Sequence, residues 1–332
     1  MKLRIVRLGK EHVEEAAGLV GRRCAALRAK VPSLPPAYDN PAMFSSRLLR
    51  LVDRGAGVAA FEGERMVGLL GAYSIGTLYG RPCMLSPEWG NGAEPTVARR
   101  AVEAMYREAA PEWLRQGGEI HAICALAHDA AALEAWAWGG FGRMVCDAVR
   151  PLEPISVTHG DFEIRRAVPD DVDLVLPLAR GLQEHLAGPS IYILDREPED
   201  RATWEATLHD PTMGIWLAVR DGSALGYIRQ GPATRDACAV IVDDGTTSIT
   251  GAYVEPTARG AGVATALLAR AVDWGREQSY VRCSVDFETA NSLAARFWMQ
   301  HFDPVVVSLG RILDPRLVGA QSVEPARHES GA

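Results

Sequence analysis

Ile249-Thr-Gly-Ala-Tyr-Val-Glu-Pro-Thr-Ala-Arg-Gly-Ala-Gly-Val-Ala-Thr-Ala-Leu-Leu268 reads as a strand, a proline turn, an Arg-Gly-x-Gly loop and the opening turns of an amphipathic helix. That order of parts builds an anion cradle. Gly260 and Gly262 let the backbone approach a ligand with no Cβ in the way. The unbonded N–H groups at the helix start then point at the ligand, backed by the positive end of the helix dipole. Arg259 adds a guanidinium suited to paired contacts with phosphate oxygens. A small molecule carrying a diphosphate is the expected occupant.

Working outward, the 332-residue chain is long enough for two domains. Its 48% hydrophobic and 23% charged residues describe an ordinary globular protein, and its net charge of -7 argues against a nucleic-acid partner. The six cysteines form no C-x-x-C pair, so neither a zinc site nor a disulfide framework is expected. No metal is expected, and no apolar run is long enough to span a bilayer. The N-terminal residues lack the apolar core of a signal peptide, which points to the cytoplasm.

The chain also repeats itself. Phe162 matches Leu3, Gly226 matches Gly68 and Phe302 matches Phe141, at offsets of 159, 158 and 161 residues. Val58–Gly68 and Trp216–Gly226 each read as two strands joined by a Glu-Gly or Asp-Gly turn. The predicted unit is β-α-α-β-β-β-α-β-α-β. It occupies residues 1–151 and 161–314, with a Pro-containing linker over 152–160 and a polar tail, expected to be mobile, over 315–332. In the first unit the counterpart of the cradle is Leu85-Ser-Pro-Glu-Trp-Gly-Asn-Gly-Ala-Glu-Pro-Thr96. The arginine is gone, Glu94 repels an anion and Pro95 has no N–H to donate. Residues 1–151 are expected to be a copy that has lost its ligand.

Val254-x-Pro256-x-x-Arg259-Gly260-x-Gly262-Val263-Ala264 resembles the acyl-CoA-binding motif of the GNAT (GCN5-related) N-acetyltransferases. Val281-Arg-Cys-Ser-Val-Asp286 looks like the next strand of that fold, and Asn291-x-x-Ala294-x-x-Phe297-Trp298 like the following helix. The resemblance covers 162–313 and reaches 1–151 only as a faint echo. It implies an α/β (α+β) protein of two tandem GNAT-like domains, each a mixed, mostly antiparallel sheet flanked by helices. It further implies acetyl-CoA, or another acyl-CoA, as cosubstrate, with the diphosphate on the amides of Gly260, Ala261, Gly262, Val263, Ala264 and Thr265. Val254, Arg259, Asn291 and Phe297 complete the cofactor set. The pantetheine arm would lie along the strand ending near Val254, in an opening between strands 249–255 and 281–286.

The implied reaction is direct acyl transfer to a primary amine of a small molecule or peptide, with neither nucleic acid nor membrane as partner. Glu255 is the first candidate for the base, followed by Asp286 and Asp243. The family's frequent acid is a tyrosine at the position of Trp298, and an indole N–H is far too weak for that role. Tyr253 is the substitute. The rival reading is a regulatory protein that binds acyl-CoA without transferring the acyl group. Alternatives on the residues alone stay open at two points. Asn291 serves equally as a helix cap, and Gln183–Tyr192, with Glu184 and Tyr192, is a candidate lip of the acceptor site.

Overall fold

The computed structural model describes residues 2–318 apart from 55–56, 159, 195–198 and 234–237. The first half runs β1 (Arg4–Arg7), α1 (Val13–Arg28), α2 (Ala42–Asp53), β2 (Gly57–Glu62), β3 (Arg65–Gly71), β4 (Tyr73–Leu78), β5 (Arg81–Ser86), β6 (Asn91–Ala93), α3 (Ala98–Arg115), β7 (Ile120–Leu126), α4 (Ala130–Trp138) and β8 (Gly142–Pro151). The second runs β9 (Glu163–Arg166), α5 (Val172–Ala187), α6 (Arg201–His209), β10 (Gly214–Arg220), β11 (Ser223–Pro232), β12 (Thr246–Val254), α7 (Val263–Glu277), β13 (Arg282–Glu288), α8 (Ser292–His301) and β14 (Asp303–Ile312).

The second half keeps the predicted unit strand for strand. The first departs from it because two of its three central strands are broken. The chain between β3 and β4 passes from one sheet to another at Ala72. Pro87 and Gly90 separate β5 from β6 in a tight turn, closed by the Gly90 N–H on the Pro87 carbonyl at 2.7 Å. A proline there cannot donate to a sheet ladder.

The halves are also less separate than their sequences. Ten strands form one sheet in the order β4-β5-β7-β14-β8-β13-β12-β11-β10-β9, beside a four-stranded sheet β1-β2-β3-β6. The last strand, β14, lies between β7 and β8 of the first half, and β8 in turn pairs with β13 of the second. The boundary at 152–160 divides the chain but not the sheet. One core follows the same path: Ala148 and Leu152 pack in the cluster that holds Leu268, Val272, Cys283 and Val285. The connection from β11 to β12 is fastened to the first half as well. Tyr38 donates to the Val242 carbonyl at 2.7 Å, and Glu88 accepts from the Val240 N–H at 3.1 Å.

The six cysteines are free, and burial raises the thiols resolved here above their ordinary range. Four are buried and behave as small apolar side chains. No helix among the described residues is long and apolar enough to cross a membrane. Of the tail, Pro315–Leu317 form one 3₁₀ turn, and residues 319–332 lie outside the described part.

Candidate functional site

The site begins at a defect in β12. Its pairing with β11 slips by one residue between Arg229 and Gln230, which leaves Thr250 as a bulge. A bulge bends its strand and sharpens the local twist. The parallel pairing of β12 with β13 stops at the same point, running only from Thr246–Ile249 to Arg282–Val285. From there β12 follows β11 while β13 follows β8 as far as Glu288. The two strands part into a V.

The Glu255 N–H bonds the Leu225 carbonyl at 2.8 Å, so strand alternation turns the Val254 N–H the other way, into the gap. The Val254 carbonyl on that side is taken by Arg259 Nε at 3.1 Å, while the amide is left to donate.

One side of the V opens into a cleft of about 480 Å³. Its lining includes Tyr253, Val254, Arg259, Gly260, Gly262, Val263, Ala264, Thr265, Asn291 and Phe297. Of the expected cofactor residues only Ala261 does not line it. Gly260 and Gly262 sit at φ +79° and +82°, and a Cβ on either would project into open space. α7 starts directly after Gly262 with no side-chain cap. Among the described residues the backbone N–H groups from Gly260 to Thr265 have no acceptor, and the first helical bond is Ala266 N–H to the Gly262 carbonyl. Arg259 lies 5.7 Å over the Tyr253 ring.

Asn291 fills both of its possible roles. Its Oδ1 caps α8 by accepting from the Ala294 N–H at 3.2 Å and meets His185 Nε2 at 3.4 Å, and its side chain also borders the cleft. Trp298 is 7% exposed, packs edge-on against Phe297 and Phe302 in the core, and also borders the cleft. Tyr253 has room for its ring because position 181 on α5 is glycine, where a Cβ would meet the ring at 2.8 Å. Burial, and then the nearby Glu255, hold its phenol above the ordinary range, so it keeps its proton at neutral pH.

Next to the cleft, between β13, β8, the end of β4 and the segment after α5, lies a larger cavity of about 1000 Å³ between the halves. Asp286 and Glu288, two positions apart on β13, face it together with Tyr79, Met144, Tyr192 and Leu194. The Asp286 side chain is open to this cavity but walled by protein on its other sides, and that desolvation raises its carboxyl. Glu288 is pushed up to about 7, by burial first and then by Asp286. Behind them, directly opposite Asp286 across the strand pair, is the buried Asp147 of β8, also raised to about 7.

The three expected catalytic residues are therefore divided. Tyr253 lines the cleft, Asp286 lines the cavity, and Glu255 lines neither, its carboxyl lying near Tyr253 instead. Asp243 is committed to an ion pair with Arg282, whose Nε also holds the Ser33 carbonyl of the first half. Tyr192 lines the cavity and Glu184 does not. Sequence reasoning missed Glu288, for which the signal was its i+2 spacing from Asp286 at a strand end.

The counterpart in the first half is narrowed by its own side chains to a cavity of about 140 Å³ between the head of α3 and α4. Arg23 of α1 bonds the Asn91 carbonyl at 3.0 Å and Asp129 Oδ2 at 2.5 Å, and its guanidinium fills the space a Cβ on Gly92 would need. Asp129 caps α4 as Asn291 caps α8. Asn91 Nδ2 closes the break between strands by donating to the Pro87 and Cys124 carbonyls. Three amides near the head of α3 are spent internally: Glu94 N–H on the Val67 carbonyl, Val97 N–H on that of Glu94 and Ala98 N–H on that of Pro95.

Residues 180–302 match the sequence model of the Acetyltransferase (GNAT) family. Among solved structures, the GCN5-related N-acetyltransferase from Sphaerobacter thermophilus is similar over 93% of this chain and 95% of its own, at 15% identity and a TM-score of 0.55. At that identity the likeness concerns the fold, and it spans both halves. A tandem GNAT protein from the clavulanic acid biosynthesis pathway aligns over 93% of this chain and 98% of its own, at 15% identity and a TM-score of 0.46. No protein of curated function matches the sequence.

Proposed function

Residues 180–302 form a GNAT-family acetyltransferase domain, and from that premise we propose that the protein transfers an acetyl group from acetyl-CoA to a primary amine by direct attack. One observation carries the reading. The gap between β12 and β13 opens on a cleft lined by unbonded amides, and β13 carries two carboxyl groups that face a neighbouring cavity.

In this reading the amides from Gly260 to Thr265 hold the diphosphate and the Val254 N–H polarises the acyl carbonyl. Such a preformed donor stabilises the charge that develops on oxygen. Glu288, titrating near neutrality, accepts the proton of the ammonium group, directly or through water. The amine nitrogen bonds the carbonyl carbon, the C–S bond breaks, Tyr253 gives its proton to the departing sulfur, and the proton that the nitrogen sheds on becoming an amide passes through water to restore the Tyr253 phenol. The products are an amide and CoA with a free thiol. Tyr253 thus takes the acid's place that Trp298, in the core, does not fill.

The test is thiol release from acetyl-CoA in the presence of amines, alongside calorimetric binding of acetyl-CoA. Binding with turnover of an amine supports the proposal. Binding with no turnover of any small amine or peptide amino terminus would favour the regulatory reading. Absence of binding would remove both.

A further inference from the structure

The cavity facing Asp286 and Glu288 belongs to neither half alone. The turn after β4 brings Leu78 and Tyr79 to one wall, and β8 brings Met144; the segment after α5 brings Ile191, Tyr192 and Leu194 to the other. Two features of this lining stand out. The anionic groups are gathered at one end, on β13, while the walls are almost wholly aliphatic and aromatic. Several of those apolar side chains are left in water at the rim: Tyr79 is 46% exposed, Tyr192 72% and Leu194 84%. Wet apolar groups of that size, arranged around a cavity, mark a surface that a partner with apolar area covers.

Resting on the acetyltransferase reading, we infer that the acceptor is an amphiphilic amine: a single cationic amino group at Asp286 and Glu288, carried on a bulky aliphatic or aromatic body that packs between Leu78, Tyr79, Tyr192 and Leu194. Charge fixes the end and the orientation. An ammonium next to two carboxylates gains an interaction that the apolar walls cannot offer, and the body gains free energy in proportion to the apolar area it removes from water. A polyamine would bury further charges against aliphatic walls with no counter-ion, and an amino sugar would bury hydroxyls with few partners. Both are penalised by desolvation. The remaining charged group of the lining, Arg143 at the outer end of β8, is a cation and repels a second ammonium there.

The experiment uses the full chain with 4-phenylbutylamine, spermidine and glucosamine as acceptors, and calorimetry with acetyl-CoA alone and with each amine in the presence of CoA. The expected result is a kcat/KM for 4-phenylbutylamine at least tenfold above the other two, the scale on which a pocket separates apolar from polar groups being roughly 10–200-fold. Tyr192→Ser/Leu194→Ser should lower kcat/KM for 4-phenylbutylamine about tenfold more than kcat/KM for ethylamine. Preference for spermidine or glucosamine overturns the inference, as does an equal loss for all amines in the double variant. If acetyl-CoA binds but 4-phenylbutylamine neither binds nor reacts, this inference falls while the cofactor cleft stands. If acetyl-CoA does not bind, the acetyltransferase reading itself falls.

Discussion

Asp147 and Asp286 stand directly opposite each other on adjacent antiparallel strands, one contributed by each half of the chain. Burial raises the Asp147 carboxyl first, and the like charge of Asp286 opposite adds to it. A carboxyl whose folded pKa, about 7 for Asp147, lies above its ordinary value of 3.8 binds more protons folded than unfolded. Its stabilising contribution is therefore present at low pH and is lost as pH rises from about 4 through 7. Asp147→Asn should raise Tm at pH 8.5 by on the order of 2 °C and change it little at pH 5. Equal shifts at both pH values in a thermal melt would contradict the assignment.

Glu288→Gln removes the group that titrates near neutrality on the acceptor side. If Glu288 is the base, kcat/KM for the amine falls about 10²–10⁴-fold. The wild-type profile should rise with pH through about 7, as Glu288 loses its proton, and that limb should be flattened in the variant. A variant that keeps the wild-type limb would move the role elsewhere.

Tyr253→Phe tests the proton donor. Because the phenol is raised above its ordinary range, the wild-type enzyme should show no alkaline loss of activity up to pH 9. The variant should lose about tenfold or more in kcat with acetyl-CoA affinity nearly unchanged, since the interaction is made as the sulfur departs. An unchanged kcat in steady-state kinetics would show that the thiolate leaves unaided.

At Gly262 a side chain meets two obstacles. The left-handed backbone costs a non-glycine residue about 1–2 kcal/mol, and position 262 is part of the cleft wall, where a side chain would crowd the ligand. Gly262→Val should abolish acetyl-CoA binding by calorimetry while the protein still melts cooperatively. Affinity equal to wild type would refute the cradle.

The Arg23–Asp129 pair is structural, with each side chain 11% exposed. Arg23→Ala leaves Asp129 charged and enclosed, which costs about 3–5 kcal/mol for a buried pair broken on one side. Urea unfolding should show that loss, and adding Asp129→Asn should recover part of it. Wild-type protein should bind one acetyl-CoA per chain; a stoichiometry of two would mean that the first half is not closed.

The cradle was legible in the sequence because its parts are local: two glycines, a proline, an arginine and a helix start within nine residues of Val254. The doubled architecture was legible through three matching offsets. The setting of Glu288, the base in our proposal, was not, because it arises only through the register of β13 on β8, which is fixed between residues about 140 positions apart. Glu255, the last residue before the turn, lies beside Tyr253 and lines neither cavity. The broken strands of the first half show in Pro87 and Gly90. The exchange of β14 has no local signature, since nothing in Val305–Leu309 says which neighbours it will find.

That exchange sets a timetable. The lane between β7 and β8 in the first half is filled by residues 303–312, which are synthesised about 150 residues after β8. The first half emerges from the ribosome with three strand edges that no other part of it occupies, one on β7 and both on β8, and its sheet closes only once those later residues have followed. Until then those edges are open to pairing with other chains. A stop codon just before β14 would damage both halves, including the one completed long before it.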